Sequence, residues 1–225
     1  PNQIRLGDVT KWQDWDIDWS SIDMIFGGFP CQAWSVAGKQ MGDKDERGML
    51  FWTMLDIMKH VCKHNPKADF LIENVKMKKE FEEYITHHMT EEVGNLHKIM
   101  IDSSLVSAQN RKRYYWTSFE VTQPEDRGLV LGDVVTDFYD ITDRVLAKPL
   151  GTSTYRNTWK NMCKLSGKSK CLTASGQNIS NASSTNIDTE DGRYYKLTPR
   201  ECFRLQTTPE HYIDKILSCG VSNSQ

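Results

Sequence analysis

No CxxC pair occurs in this sequence of 225 residues, although it has six cysteines, at 31, 62, 163, 171, 202 and 219. None stands with histidines at zinc-ligand spacing, so a zinc finger or ribbon is excluded and no metal is expected. The cysteines read as reduced thiols, mostly buried, with at most one reactive. Also lacking is any apolar run long enough to cross a bilayer. No signal-peptide pattern opens the chain, and the expectation is a reducing, cytoplasmic setting without a membrane partner. Repeats and low-complexity tracts are absent. So is an excess of positive charge: 28 Lys and Arg stand against 30 Asp and Glu, a formal charge of -2. Composition alone therefore gives no support to a nucleic-acid partner. Aromatics are not scarce. Seven Trp, eight Tyr and eight Phe argue against disorder, and the length suffices for a core without disulfide or metal staples.

Charge distribution says more than its sum. Residues 156–170 carry Arg156, Lys160, Lys164, Lys168 and Lys170 and no acid, and residues 111–113 are Arg-Lys-Arg. Acids collect instead in 14–23 and 80–92. One basic face on a neutral protein is enough to bind phosphates; a solvated cationic rim is the plainer alternative.

Gln3 to Leu6 reads as a short strand ending at Gly7-Asp8, followed by a polar, Trp-rich stretch without a clear period. Ile22 to Phe26 reads as a buried strand closed by Gly27-Gly28. Leu50, Met54, Ile57, Met58 and Val61 fall on one helical face, and Asn65-Pro66 stops that helix. Phe70 to Ile72 is a third strand, Phe81 to Met89 a helix, and 98–101 and 114–119 further strands. Alternating strands and helices predict an α/β protein with a mostly parallel sheet. In such sheets ligands bind beyond the carboxyl ends of the strands. Asp8, Cys31 and Glu73 stand there. Beyond residue 122 the chain turns rich in Thr, Ser, Asn, Gly and Lys, a smaller, loop-rich lobe. Thr198, Pro199 and Glu201 then form the capping box of a new helix.

Cys31 lies in the tight turn Gly27-Gly28-Phe29-Pro30-Cys31-Gln32, where glycines let the backbone approach a ligand. A fixed, partly exposed thiol suits a nucleophile; a small hydrophobe at a strand end is the alternative. Glu73 ends an apolar strand, where a carboxylate is costly unless paired or employed. Partial burial would suit it to proton transfer or to bonding a base ring; a structural salt bridge is the alternative. Arg111 and Arg113, two apart at a strand edge, offer forked donors for a carbonyl or a phosphate.

Five segments together resemble the DNA (cytosine-5) methyltransferases, with a bacterial or bacteriophage flavour. Gly27 to Ser35 (GGFPCQAWS) resembles their catalytic loop, Glu73-Asn74-Val75 their glutamate motif and Gln109-x-Arg111-x-Arg113 their arginine motif. Gly7-Asp8-Val9 resembles the cofactor-adenine motif, and Arg200 to Gln206 the helix that returns to the large domain. Each string is short; five in family order across residues 7–206 are specific.

The resemblance implies a Rossmann-like S-adenosylmethionine-dependent α/β sheet with a small loop-rich target-recognition lobe. It implies methyl transfer from S-adenosylmethionine to carbon 5 of a flipped cytosine in double-stranded DNA. Cys31 would add to carbon 6, Glu73 would hold N3 and the exocyclic amine, Arg113 would bind O2, and Arg111 would orient the loop or a phosphate. Asn74 would brace the active-site loops. Asp8, Pro30 and Leu50 would contact the cofactor. Gln32 and Ser35 would close on the DNA. Arg156, Lys160, Lys164, Lys168, Lys170 and Thr173 would meet the duplex, most lysines positioning it without reading sequence. The implied division is 1–122 catalytic, 123–195 target recognition and 196–225 returning to the catalytic domain. A monomer in a bacterial or phage-infected cell and a restriction-modification context are expected.

The family's opening Phe-x-Gly-x-Gly turn and the acidic residue after it would lie upstream of Pro1, and its closing Gly-Asn-x-Val segment beyond Gln225. The sequence therefore reads as truncated at both ends, with an incomplete sheet, part of the cofactor site outside it and weak activity by itself. A non-catalytic DNA-binding relative and an RNA cytosine methylase stay open as alternatives. A cysteine hydrolase would need a histidine beside Cys31, and none of the six stands in such a setting.

Overall fold

The structure, a computed structural model, describes residues 3–31, 48–135, 145–147, 161–173, 185–190 and 193–220. Two compact units emerge, one from Pro1–Ile101 with Lys112–Gln123, the other from Asp102–Arg111 with Pro124–Gln225.

The first unit is a four-stranded sheet with helices. Its strands are β1 (Met24–Gly28), β2 (Asp69–Val75), β3 (His97–Asp102) and β4 (Lys112–Thr117), in the order β1-β2-β4-β3. β1 and β2 are parallel and joined by helix α1 (Leu50–His64), while β2 and β4 are antiparallel. The sheet is thus mixed, not mostly parallel. Helix α2 (Lys79–Val93) follows β2, longer than its apolar stretch suggested. Gln3 to Leu6 forms no strand. No strand among the described residues pairs with it, and Ile4 stays 75% exposed. β1 starts two residues later than expected and runs through both glycines, because its ladder partner carries on to Glu73.

Two faces of α1 are apolar where one stripe was expected. Phe51, Leu55, Met58 and Val61, three or four apart, are buried. The first three pack with Phe70 and Ile72 of β2, Ile85 and Met89 of α2 and Trp116 of β4. Burying each such side chain contributes about 1.5–3 kcal/mol. Leu50, Met54 and Ile57 instead line a cavity. The polar groups that enter this core are satisfied: Trp116 Nε1 donates to Thr86 Oγ1 at 2.8 Å, and buried Glu82 pairs with Lys98. The Trp-rich stretch forms two 3-10 turns, Val9–Asp14 and Trp19–Ser21, capped by Asp8 and Asp18. Trp12 and Trp19 pack edge-on to His60 of α1, with centroids 5.0 and 4.8 Å away.

The second unit holds helix α3 (Leu131–Val134), an antiparallel sheet of β5 (Val145–Ala147), β6 (Ile187–Asp188) and β7 (Arg193–Tyr195), and helices α4 (Pro199–Leu205) and α5 (Glu210–Ser218). Its core is Leu131, Ile187, Tyr195, Leu197 and Leu205 with Ala108. The capping box of α4 forms: Glu201 N donates to Thr198 Oγ1 at 3.1 Å, and Thr198 N to Glu201 Oε2 at 2.6 Å. Glu201 is fully buried, and the Tyr195 hydroxyl satisfies its carboxylate at 3.0 Å.

Candidate active site

Parallel pairing of β1 with β2 brings their carboxyl ends level, with Gly28 opposite Glu73. Gly28 is required there: a Cβ on it would lie 2.6 Å from the Glu73 carbonyl oxygen. The loop leaving β1 therefore starts beside the glutamate. Two contacts fix it. The Phe29 ring is buried edge-on against Phe51, 5.1 Å between centroids. The Asn74 side-chain amide, 2% exposed, donates to the Phe29 carbonyl at 3.1 Å, and its oxygen accepts from Val75 N at 2.8 Å. Pro30 and Cys31 follow, both half-buried. Burial pushes the Cys62 and Cys163 thiols up, which keeps them protonated and inert.

On the other edge of β2, Glu73 faces Tyr115 and Val75 faces Arg113. Glu73 and Arg113 are therefore diagonal neighbours on one face, within reach of long side chains. Arg113 Nε meets Glu73 Oε1 at 2.7 Å. The arginine side chain is 14% exposed and the glutamate's 38%, so the carboxylate of a braced pair is what stays open to a ligand. Arg113 Nη1 also donates to the Lys112 carbonyl at 2.8 Å. Arg111 does something different. Within the second unit its backbone N donates to Asp102 Oδ1 at 2.9 Å, and its guanidinium to Cys171 Sγ at 3.4 Å.

A cavity of about 360 Å³ adjoins Pro30 in the first unit. Its walls are the strand residues Ile25 to Gly28 and Ile72, the loop residues Phe29 and Pro30, the α1 residues Leu50, Met54 and Ile57, and Val9 with Trp15. Of the three residues expected to hold a cofactor, Pro30 and Leu50 line it. Asp8 does not, but its neighbour Val9 does. Asp8 caps the first 3-10 turn, and the Thr10 backbone N–H and hydroxyl hold its carboxyl below the usual range.

The expected DNA-contacting residues divide. Gln32, Ser35, Arg156 and Lys160 lie outside the described residues. Lys164 pairs with Glu190 at 3.3 Å. The Lys168 ammonium donates to the carbonyls of Ser104 at 2.6 Å and Ser107 at 3.2 Å, bracing the loop before the arginine motif. Lys170 is half-buried and Thr173 exposed. Gln109 does structural work that its place in a motif did not reveal. It is 1% exposed; its amide donates to the Leu205 carbonyl and accepts from Leu172 N, both at 3.1 Å. It thereby ties residues 102–111 to 169–172 and to α4. Trp15 was also missed, because an aromatic in a stretch without a period shows no direction. On α2, His87, His88 and Glu91 bring possible metal-ligand atoms within 4.8 Å, but His87 and Glu91 are exposed and the two histidines already meet Glu91 at 3.4 and 3.5 Å.

A family model described as C-5 cytosine-specific DNA methylase matches residues 1–156. The Type II methyltransferase M1.ScrFI of Lactococcus lactis subsp. cremoris is 32% identical over 244 residues, covering 92% of this chain and 58% of that protein. M.DsaV of Dactylococcopsis salina is 28% identical over 254 residues, covering 96% and 67%. The chain thus spans less than two thirds of the Lactococcus relative. A crystal structure of Spodoptera frugiperda DNMT2, an E260A/E261A/K263A mutant, superimposes with TM-score 0.58 at 19% identity over 94% of this chain and 74% of the other. That likeness shows the fold, and the expected Rossmann-like α/β class is borne out.

Proposed function

Because the chain belongs to the C-5 cytosine-specific DNA methylase family, we propose that it methylates carbon 5 of cytosine in double-stranded DNA, with Cys31 as nucleophile. The supporting observation is the register that sets the Cys31 loop beside the Glu73–Arg113 pair. The target atoms are inaccessible in a stacked duplex, so the base is flipped out, at a cost of a few kcal/mol. Cys31 adds to carbon 6, which makes carbon 5 enamine-like; when carbon 5 later loses its proton, the bond to sulfur breaks and the thiol is regenerated. Glu73 holds N3 and the exocyclic amine, worth on the order of 3 kcal/mol as charge builds on the ring. Arg113 holds Glu73 in place and binds O2. Asn74 fixes the loop by its bond to Phe29.

S-adenosylmethionine, when bound, supplies an electrophilic methyl group on a sulfonium. The cavity fits such a molecule. Its apolar walls suit the adenosyl portion, and Pro30 and Leu50 line it. Asp8 would take the adenine amine. In function, residues 1–122 would be the catalytic part, 123–195 would carry target recognition and 196–225 would return to the catalytic domain, although 102–111 and 196–220 pack with the second unit. Gln32, Ser35, Arg156, Lys160, Lys164, Lys170 and Thr173 would approach the DNA, while Arg111 and Lys168 shape the loops that do so.

A duplex containing 5-fluorocytosine tests the reading, because fluorine cannot leave as a proton does. With S-adenosylmethionine present, mass spectrometry is expected to find a denaturation-resistant adduct on Cys31. Cys31→Ala is expected to lose it and at least about 10³-fold in turnover on ordinary DNA. No adduct from the full-length protein on mixed-sequence duplexes would sink the catalytic reading and favour a relative that only binds.

A further inference from the structure

The segment that carries Val9 and Trp15 to the cavity has little to hold it there. Its two 3-10 turns bury no residue. Among the described residues, the hydrogen bonds of residues 8–21 reach no farther than Ile22. Rings make the attachment to α1. Trp12 and Trp19 stand edge-on to each other, 5.8 Å between centroids and 86° apart in plane, and both meet His60, at interplanar angles of 63° and 78°. Trp15 stacks on Trp19, 6.2 Å between centroids and 12° from parallel. Each cavity-lining residue of the segment is thus tied to His60 through one tryptophan: Val9 through Trp12 of its own turn, and Trp15 through Trp19.

Helix α1 puts His60 in place for this. Leu50, Met54 and Ile57 line the cavity. Spacings of four and three residues set them on one helical face, and His60, three residues further, continues it. The helix wall of the cavity and the dock of the segment therefore share one stripe. Partial burial, with His64 and Lys63 beside it, holds the His60 imidazole below its ordinary value. The ring is neutral at neutral pH and acts by shape, not charge. We propose that His60 is a positioning residue of the cofactor site: it clasps Trp12 and Trp19 and so keeps the wall formed by Val9 and Trp15 in place before the cofactor arrives. A site whose wall is in place in only a fraction of molecules loses apparent affinity by that fraction. The proposal rests on reading the cavity as the S-adenosylmethionine site.

Calorimetry with S-adenosylhomocysteine tests this on the full-length protein and on its His60→Ala, His60→Phe and Val61→Ala variants, with melting curves alongside. Val61 is the next residue of α1 but is buried. His60→Ala is expected to bind about tenfold more weakly, the worth of the ring contacts it removes. In turnover it should raise the KM for S-adenosylmethionine by about the same factor and leave kcat within about twofold. His60→Phe keeps a flat ring and should bind within about threefold of the unaltered protein. Val61→Ala should melt lower and bind as the unaltered protein does. Unchanged affinity in His60→Ala, equal losses in the Ala and Phe variants, or as large a loss in Val61→Ala would each overturn the inference alone. Absence of any S-adenosylhomocysteine binding by the unaltered protein would overturn the cavity reading and the inference with it.

Discussion

The two units use charged and polar side chains differently. In the first, the ion pair at the site is oriented by backbone pairing: Gly28 faces Glu73, Arg113 faces Val75, and the diagonal contact follows. In the second, several cations meet partners within their own unit. Lys168 binds two carbonyls, Lys164 meets Glu190, and Arg200 and Arg204 grip Glu210 and Asp214. A basic stretch counted along a sequence is therefore not the same as charge available to a phosphate. Reactive geometry, by contrast, needs few residues if two strands hold them in register.

A pair of glycines gives the sharpest break in that comparison. Gly28→Ala would drive its Cβ onto the Glu73 carbonyl, whereas at Gly167 the nearest atom is the Lys164 carbonyl oxygen at 3.6 Å, an ordinary contact. Gly28→Ala is expected to cost about 1–3 kcal/mol of stability and on the order of 10²-fold or more in turnover. Gly167→Ala is expected to stay within about 0.5 kcal/mol. Denaturant titration and single-turnover assays on both variants decide it, and comparable costs would remove the role given to register.

Next in size is Glu73→Gln, which keeps the shape and removes the charge. Turnover should fall on the order of 10²-fold, from the ~3 kcal/mol assigned to charge stabilisation on the ring, with little change in melting temperature. A large melting shift with intact turnover would make Glu73 a structural partner of Arg113 and nothing more.

Lys168→Met is a smaller test of the second unit. Losing the bonds to Ser104 and Ser107 should cost about 1–2 kcal/mol of stability and leave the salt dependence of DNA binding unchanged. A salt slope smaller by about 0.9 would instead mark Lys168 as a phosphate contact.

The smallest effect is in titration. Asp8 and Glu210 are both held below their ordinary values, Asp8 first by the Thr10 N–H, Glu210 first by Arg204. A carboxyl lowered in the folded state adds stability above its unfolded value, and loses it as pH falls through the folded one. Both contributions should therefore fade on acidification below about pH 4, the ordinary carboxyl range. Salt separates them: at 1 M, screening should return Glu210 toward its ordinary value and leave the hydrogen-bonded Asp8 low. Carboxyl NMR titrations at two ionic strengths read this directly.

How much of this was legible beforehand depends on range. The α4 capping box and the arrest of α1 at Asn65-Pro66 rest on residues within one turn, and both formed as expected. Cys31, Glu73 and Arg113 stood out because short motifs keep their order along the chain. The missing strand at Gln3 to Leu6 was not legible, since a strand exists only with a partner. The two-residue shift of β1 was set by where β2 begins, since Met24 pairs with Asp69.

By itself, then, the sequence determined the family, the α/β class and two residues at the carboxyl ends of strands, Cys31 and Glu73, though not Asp8, which no strand precedes among the described residues, because periodicity, caps and motif order are local properties of a chain. Tertiary structure alone decided which apolar side chains of α1 face the core and which face a cavity, and that Gln109 became a tie. It also decided that Lys168 spends its charge on carbonyls. Those outcomes depend on what lies across a gap, such as the 61 positions between Lys168 and Ser107 or the 96 between Gln109 and Leu205, and no local pattern records it.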